Sequence, residues 1–281
     1  MCNVPLEVRD RETELMETHV TLPKWLDDYI FNKLGAKYCR SNSDMTVIDW
    51  DKSDMLNYLG TYFPRSYAEA RCIIDNYLKQ NPATYRDKET ISILDFGCGT
   101  GGEIIGLITV LSERLPHLNS IKISPIDGNR HALELLDRVI EESRKHFKFH
   151  IDCISSPVYI EDFYDLRILN SVLKGEYDII ISFKAICEFV TRQQFEKKNA
   201  YEHIASALFP KLSKGGLFLL VDVTTYNGVS KEWLPMMLDR GLVNAKLIAS
   251  EKNDGYGQPF IVTHSHKIND ISKIAWRLVS K

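Results

Sequence analysis

The sequence predicts an α/β fold: seven strands in a mostly parallel sheet, helices on both faces, and an N-terminal helical extension. Three observations predict it. From residue 90 onward, short apolar runs alternate with stretches of helical spacing. The first of these runs ends in a glycine-rich turn, Asp95-Phe96-Gly97-Cys98-Gly99-Thr100-Gly101-Gly102, and a helical pattern follows from Glu103 to Leu115. Before residue 90 the segments are helix-like, carry several aromatics and show no strand alternation. The chain therefore divides into a helical cap, 1–85, and a sheet-bearing domain, 86–281. Asn81-Pro82 and the polar stretch 86–90 form the linker.

In the extension, Ser66-Tyr67-Ala68-Glu69 fits a capping box opening an amphipathic helix to about Leu78; Thr191-Arg192-Gln193-Gln194 fits a second. Strands are expected at 91–96, 121–127, 147–154, 177–183, 216–223, 243–250 and 259–265. Asn129 suits the cap of a helix running through Leu133, Leu136 and Ile140. The last two segments, joined by a turn at 255–259, read as an antiparallel pair closing the sheet. His264 and His266 alternate about Ser265, so they share a side if the strand persists, as packing residues or as acceptor contacts.

At 281 residues, with 44% apolar and 26% charged content, the chain can bury a full core. No apolar run is long enough to span a bilayer, and the first residues lack the basic and apolar regions of a secretory signal, so a cytoplasmic location is expected. A formal charge of −3 gives no global basic footprint for nucleic acid. Six singly spaced cysteines, at 2, 39, 72, 98, 153 and 187, indicate neither a metal site nor a disulfide framework.

The turn itself names a ligand class. Glycines at 97, 99 and 101 let backbone approach a ligand where a Cβ would obstruct it. Gly97-x-Gly99-x-x-Gly102 also fits a dinucleotide fingerprint, but Asp95 would lie close to the diphosphate and repel it. Asp95-x-Gly97-x-Gly99-x-Gly101 resembles the first motif of the class I S-adenosylmethionine-dependent methyltransferases. That resemblance implies a Rossmann-like seven-stranded methyltransferase sheet, S-adenosyl-L-methionine as cofactor and S-adenosyl-L-homocysteine as product. It also implies that the acid at 95 meets the methionine ammonium, usually through water, with Gly97, Cys98, Gly99 and Gly101 lining the cofactor.

Asp127, followed by Gly128, ends the second strand, where a carboxylate can accept both ribose hydroxyls; a helix cap is the plainer reading. By the resemblance, Glu161 and Asp162 are candidates for the adenine amino group. Ser182, Phe183, Lys184 and Glu188 leave the fourth strand where such enzymes meet the methyl group and acceptor. Lys184 would orient an anionic acceptor or act as a base, or else be an exposed helix-start lysine; Glu188 would be a general base or a surface carboxylate. Tyr226 and Asp222 lie at the acceptor-facing end of the fifth strand. In the extension, Arg65 is placed to pair with the methionine carboxylate, and Tyr62 and Tyr67 to cover the cofactor.

A narrower resemblance joins residues 62–70, the glycine turn and residues 219–228 to the methyltransferase-like proteins of the mitochondrial small ribosomal subunit and their bacterial relatives. That family's C-terminal cysteine cluster is replaced here by Thr263-His264-Ser265-His266, which weighs against an iron–sulfur centre and a ribosomal role. The expected activity is in-line transfer of a sulfonium methyl to a small-molecule or peptide acceptor, with RNA not favoured. The alternatives are a ribosome-associated RNA methyltransferase or noncatalytic assembly factor, and a dinucleotide-dependent oxidoreductase.

Overall fold

The computed structural model describes residues 16–39, 50–160, 164–165, 167–189, 199–228 and 230–281. The apolar runs become parallel strands: β2 (Thr90–Phe96), β3 (Ser120–Asp127), β4 (His150–Cys153), β6 (Tyr177–Phe183) and β7 (Leu212–Val223). Short β5 (Ser156–Pro157) pairs with β3. Every residue of β6 is buried, as expected of a central strand covered on both faces.

After the short β8 (Tyr226–Asn227), β9 (Glu232–Trp233) and β10 (Glu251–Lys252), two further strands, β11 (Gln258–His264) and β12 (Lys267–Ser280), add an antiparallel hairpin. From the hairpin edge the order is β1-β11-β12-β7-β6-β2-β3-β4, where β1 is His19–Thr21. The extension thus contributes an edge strand, running parallel to β11 in register His19 to Ile261.

The closing pair is not the one read from the sequence. Residues 243–250 are not a strand: the helix Leu234–Asn244 ends there, with Val243 and Ile248 at 70% and 86% exposure. The partner of β11 is β12, whose Ile274–Val279 is buried and lies against β7. Charged residues in the first half of β12 and Arg277 in the second broke its apolar pattern. Arg277 is nevertheless buried, its guanidinium held by Asp239 at 2.6 and 2.8 Å and by the Asn253 side chain. Ile274 pairs with Val223 at the end of β7, so residues 267–273 project past the carboxyl edge of the parallel sheet.

Helices α1 (Lys24–Asp27), α2 (Lys52–Gln80), α3 (Gly102–Arg114) and α4 (Arg130–Ser143) precede the middle of the chain. The helix expected to start at Ser66 starts fourteen residues earlier: α2 spans 29 residues, capped by Asp51 in a reciprocal box with Asp54. Ser66 is buried in its interior, and the helix continues through Pro64. Tertiary packing holds the helix together. Cβ atoms on Gly102 and Gly106 of α3 would come within 2.3 and 2.4 Å of the carbonyls of Phe63 and Tyr67, so α2 and α3 touch backbone to backbone. Phe63 and Tyr67 are each 1% exposed there, and burial of such side chains contributes about 1.5–3 kcal/mol apiece. Asn129 caps α4 as expected, accepting from the N–H groups of His131 and Ala132. The second expected capping box, 191–194, lies outside the described residues.

Candidate functional site

The strand order reverses between β2 and β6. Ligands of open α/β sheets bind in the crevice at such a reversal. Asp95, the glycine turn, Asp127 and Lys184 all stand at that edge.

Gly97, Gly99 and Gly101 have φ of +73°, +48° and +79°. A Cβ on Gly97 would lie 2.2 Å from that of Ala185, and one on Gly99 would lie 3.1 Å from the Tyr58 hydroxyl. The turn is therefore wedged between the loop after β6 and the long helix α2. Four of its amides are engaged within the protein. Gly97 and Cys98 donate to the Ile126 carbonyl at 2.8 and 3.1 Å, Gly101 donates to the Cys98 carbonyl at 2.8 Å, and Gly99 donates to an Asp127 carboxylate oxygen at 2.7 Å. A loop that cradles phosphate must aim such groups at its ligand.

Asp127 is the latch of this turn. Its second oxygen accepts the Asn129 N–H at 2.8 Å. Burial raises its carboxyl above the ordinary range, with these backbone donors opposing. With the Gly128 N–H as a third backbone donor, the carboxylate keeps capacity for about one further donor.

Asp95 is fully buried, and neither of its oxygens meets an N–H or O–H donor. Burial, reinforced by Glu103 and Asp127, pushes it well above the usual carboxylate range. Glu103, in the first turn of α3, is 4% exposed and pushed up to about 8, chiefly by burial. Lys184 is no exposed helix-start lysine. It is buried with φ +55°, and its Nζ donates to Oε2 of the fully buried Glu69 at 2.8 Å. The other Glu69 oxygen has no donor.

Several expected cofactor contacts are engaged elsewhere. The Arg65 guanidinium holds Asp270 of β12 through two contacts, at 2.7 and 2.8 Å, so it ties α2 to the projecting hairpin and is not directed at a ligand carboxylate. Tyr67 is core between α2 and α3. Ser182 donates to the Phe96 carbonyl at 2.9 Å, and Phe183 is buried in the core; both brace the edge. The Cys98 thiol is buried and held protonated well above its ordinary value, which removes it as a nucleophile. Gly128 is half-buried beside Asp127. Tyr62 stands with Tyr58, ring centroids 4.9 Å apart, on the helix facing the turn. Glu161 and Asp162 lie outside the described residues, as does the side chain of Glu188.

On the acceptor-facing side, Asp222 is buried and accepts from the Tyr201 hydroxyl at 2.9 Å and the Cys187 N–H at 3.2 Å, a structural brace. Tyr226 is 51% exposed and packs edge-on against Trp233 at 5.4 Å; Tyr256 lies 5.8 Å beyond Trp233. His264 is buried against Phe31, and the chain turns at 265–266, so it and the exposed His266 both stack on that ring as packing residues.

Sequence reasoning passed over Tyr58, Glu69 and Glu103. Their signals were present: an acid one residue beyond the last glycine, and a second acid in the apolar face Tyr67–Ile74. Among the described residues, no helix is long and apolar enough to cross a membrane.

No family model matches the sequence, and no curated protein matches it. Solved structures do. A proposed class I S-adenosylmethionine-dependent methyltransferase from Listeria monocytogenes is similar over 90% of this chain at 12% identity and a TM-score of 0.46; this chain spans 65% of its length. A proposed RNA methyltransferase from Pyrococcus horikoshii is similar over 92% of this chain and 98% of its own, at 10% identity and TM-score 0.45. Magnesium protoporphyrin IX methyltransferase from Synechocystis, with bound S-adenosylmethionine, is similar over 86% of this chain and all of its own, at 12% identity and TM-score 0.41. At these scores and identities the likeness transfers neither activity nor acceptor to this chain.

Proposed function

We propose that the chain is an S-adenosylmethionine-dependent methyltransferase acting on a small-molecule or peptide acceptor. One observation carries the reading: at the sheet's switch point the Gly97, Cys98, Gly99 and Gly101 amides are engaged within the protein, while Asp95 beside them is buried with no N–H or O–H donor on either oxygen. Such a site rejects a diphosphate and accepts a cation that brings donors of its own. An amino-acid ammonium joined to a nucleoside fits both the charge and the place. The same facts disfavour the dinucleotide alternative, since Glu103 adds a second acid at the helix start where a pyrophosphate would sit.

The chain's residues would then divide the work. Asp95 holds the ammonium, and the remaining acceptor capacity of Asp127 takes a ribose hydroxyl. Tyr58 and Tyr62 cover the turn and exclude water, and Glu161 and Asp162 are the adenine candidates. Bound there, S-adenosylmethionine supplies an electrophilic methyl on sulfur, and the protein contributes alignment and desolvation. Lys184, Glu188 and the exposed Tyr226 remain the acceptor-side candidates; the Tyr226–Trp233–Tyr256 surface favours an acceptor with a flat or apolar face.

Calorimetric titration with S-adenosylhomocysteine and with a nicotinamide dinucleotide tests the cofactor. Binding of the first and not the second is expected, and no binding of S-adenosylhomocysteine refutes the proposal. Incubation with labelled donor and fractionated cell extract tests the acceptor; label confined to ribosomal RNA would replace the small-molecule or peptide reading.

A further inference from the structure

Asp95 belongs to a larger buried cluster. Glu69 comes from α2, Asp95 from the end of β2, Glu103 from the first turn of α3 and Lys184 from the turn after β6; all four are buried. Asp127 adds a carboxyl from the end of β3, with its oxygens on backbone N–H groups. The Cys98 thiol and the Tyr58 hydroxyl complete the polar surroundings. Lys184 pairs with Glu69, and its charge also reaches Glu103 and draws that carboxyl down; Asp95 and Glu103 touch each other, and among the described residues neither forms an ion pair.

Two ionised carboxylates offer each other only acceptors. The contact between Asp95 and Glu103 becomes a hydrogen bond when one of them carries a proton, and burial, which outweighs the pull of Lys184 on Glu103, demands that proton. A ligand ammonium at the orphaned Asp95 oxygens supplies the missing charge and donors, and makes the proton superfluous.

We propose that Asp95 and Glu103 share one proton in the ligand-free protein and release it to solvent when the ammonium of the cofactor enters, which makes Glu103 a second cofactor-site residue. This rests on the cofactor reading above. In the exchange the ammonium keeps its three protons, the O–H bond of the acid pair breaks, and the buffer takes up the proton. Binding is thereby coupled to pH at a site with no histidine among the groups named.

The experiment is titration of the full chain with S-adenosylhomocysteine at pH 7 in two buffers of different ionisation enthalpy, phosphate and Tris. Release of about one proton per ligand bound is expected, with affinity rising about tenfold between pH 6 and pH 7. Glu103→Gln should still bind, because its amide donates to Asp95 and holds that carboxylate ionised, but both the proton release and the pH dependence should shrink towards zero. Binding of S-adenosylhomocysteine by the unmodified protein with no proton release overturns the inference and leaves the cofactor assignment intact. Unchanged release in Glu103→Gln overturns the role of Glu103. Absence of binding overturns the cofactor assignment itself. The buffer comparison on the unmodified protein decides the matter even if the variant does not fold.

Discussion

Lys184 Nζ sits 2.8 Å from Glu69 Oε2, with both side chains almost entirely buried, and this pair joins the long helix of the extension to the carboxyl edge of the sheet. A buried pair costs desolvation to assemble, but breaking it is worse, because the surviving charge has no partner. Lys184→Met should therefore destabilise the protein by about 3–5 kcal/mol in urea unfolding, and Glu69→Leu combined with it should recover most of that loss. If Lys184→Met is as stable as the parent, the pair is not intact in solution.

Arg65 and Asp270 should behave as a strut. Arg65→Ala leaves a buried carboxylate on β12 and should cost about 2–4 kcal/mol. Affinity for S-adenosylhomocysteine should change less than about threefold at a temperature where the variant is folded. A loss of about a hundredfold in affinity, with stability unchanged, would return Arg65 to the ligand carboxylate.

Ligand-free stability should fall as pH rises. Both carboxyls of the buried pair are shifted upward, Glu103 to about 8, so the folded state binds more protons than the unfolded chain across the interval from the ordinary carboxylate value near 4.5 to about 8. Stability from this source is complete below that interval and is lost through it, at about 1.4 kcal/mol per pH unit for one proton. Urea unfolding at pH 5.5, 6.5 and 7.5 measures the slope, and Glu103→Gln should flatten it. A rise in stability with pH would contradict the buried protonated pair.

Gly97→Ala combines two costs: φ of +73° and a Cβ 2.2 Å from that of Ala185. The chain must shift either the turn or the loop after β6, so a loss of about 2–4 kcal/mol and a large drop in ligand affinity are expected. Gly99→Ala should be milder in packing, since it meets only the end of a tyrosine side chain at 3.1 Å.

Tyr226→Ala should leave stability and S-adenosylhomocysteine affinity within error, because the ring is half exposed and packs only along Trp233. Once an acceptor is known, its KM should rise; an unchanged KM would remove this aromatic surface from acceptor recognition.

Much of the sheet was legible because parallel strands are buried on both faces and read as unbroken apolar runs; 177–183 is β6 residue for residue. The edge beyond β7 was not. Residues 243–250 carry apolar side chains that the fold leaves exposed, whereas β12 hides Arg277 by giving it Asp239 and Asn253 as partners. A strand whose charged residue finds its counter-charge 38 positions away cannot be recognised from its own pattern.

The candidate site divides in the same way. The turn, its acid and the acid ending the next strand can be read from the residues alone, because left-handed glycines and a carboxylate beside them are demanded locally by backbone sterics and charge. That Asp127 latches the turn, that Arg65 and Tyr67 belong to packing, and that Glu69, Glu103 and Lys184 gather around Asp95 follows from the folded arrangement. Those outcomes depend on which buried charges meet across distant segments. The penalty for leaving a charge unpaired is set by its final surroundings, and no local pattern contains it.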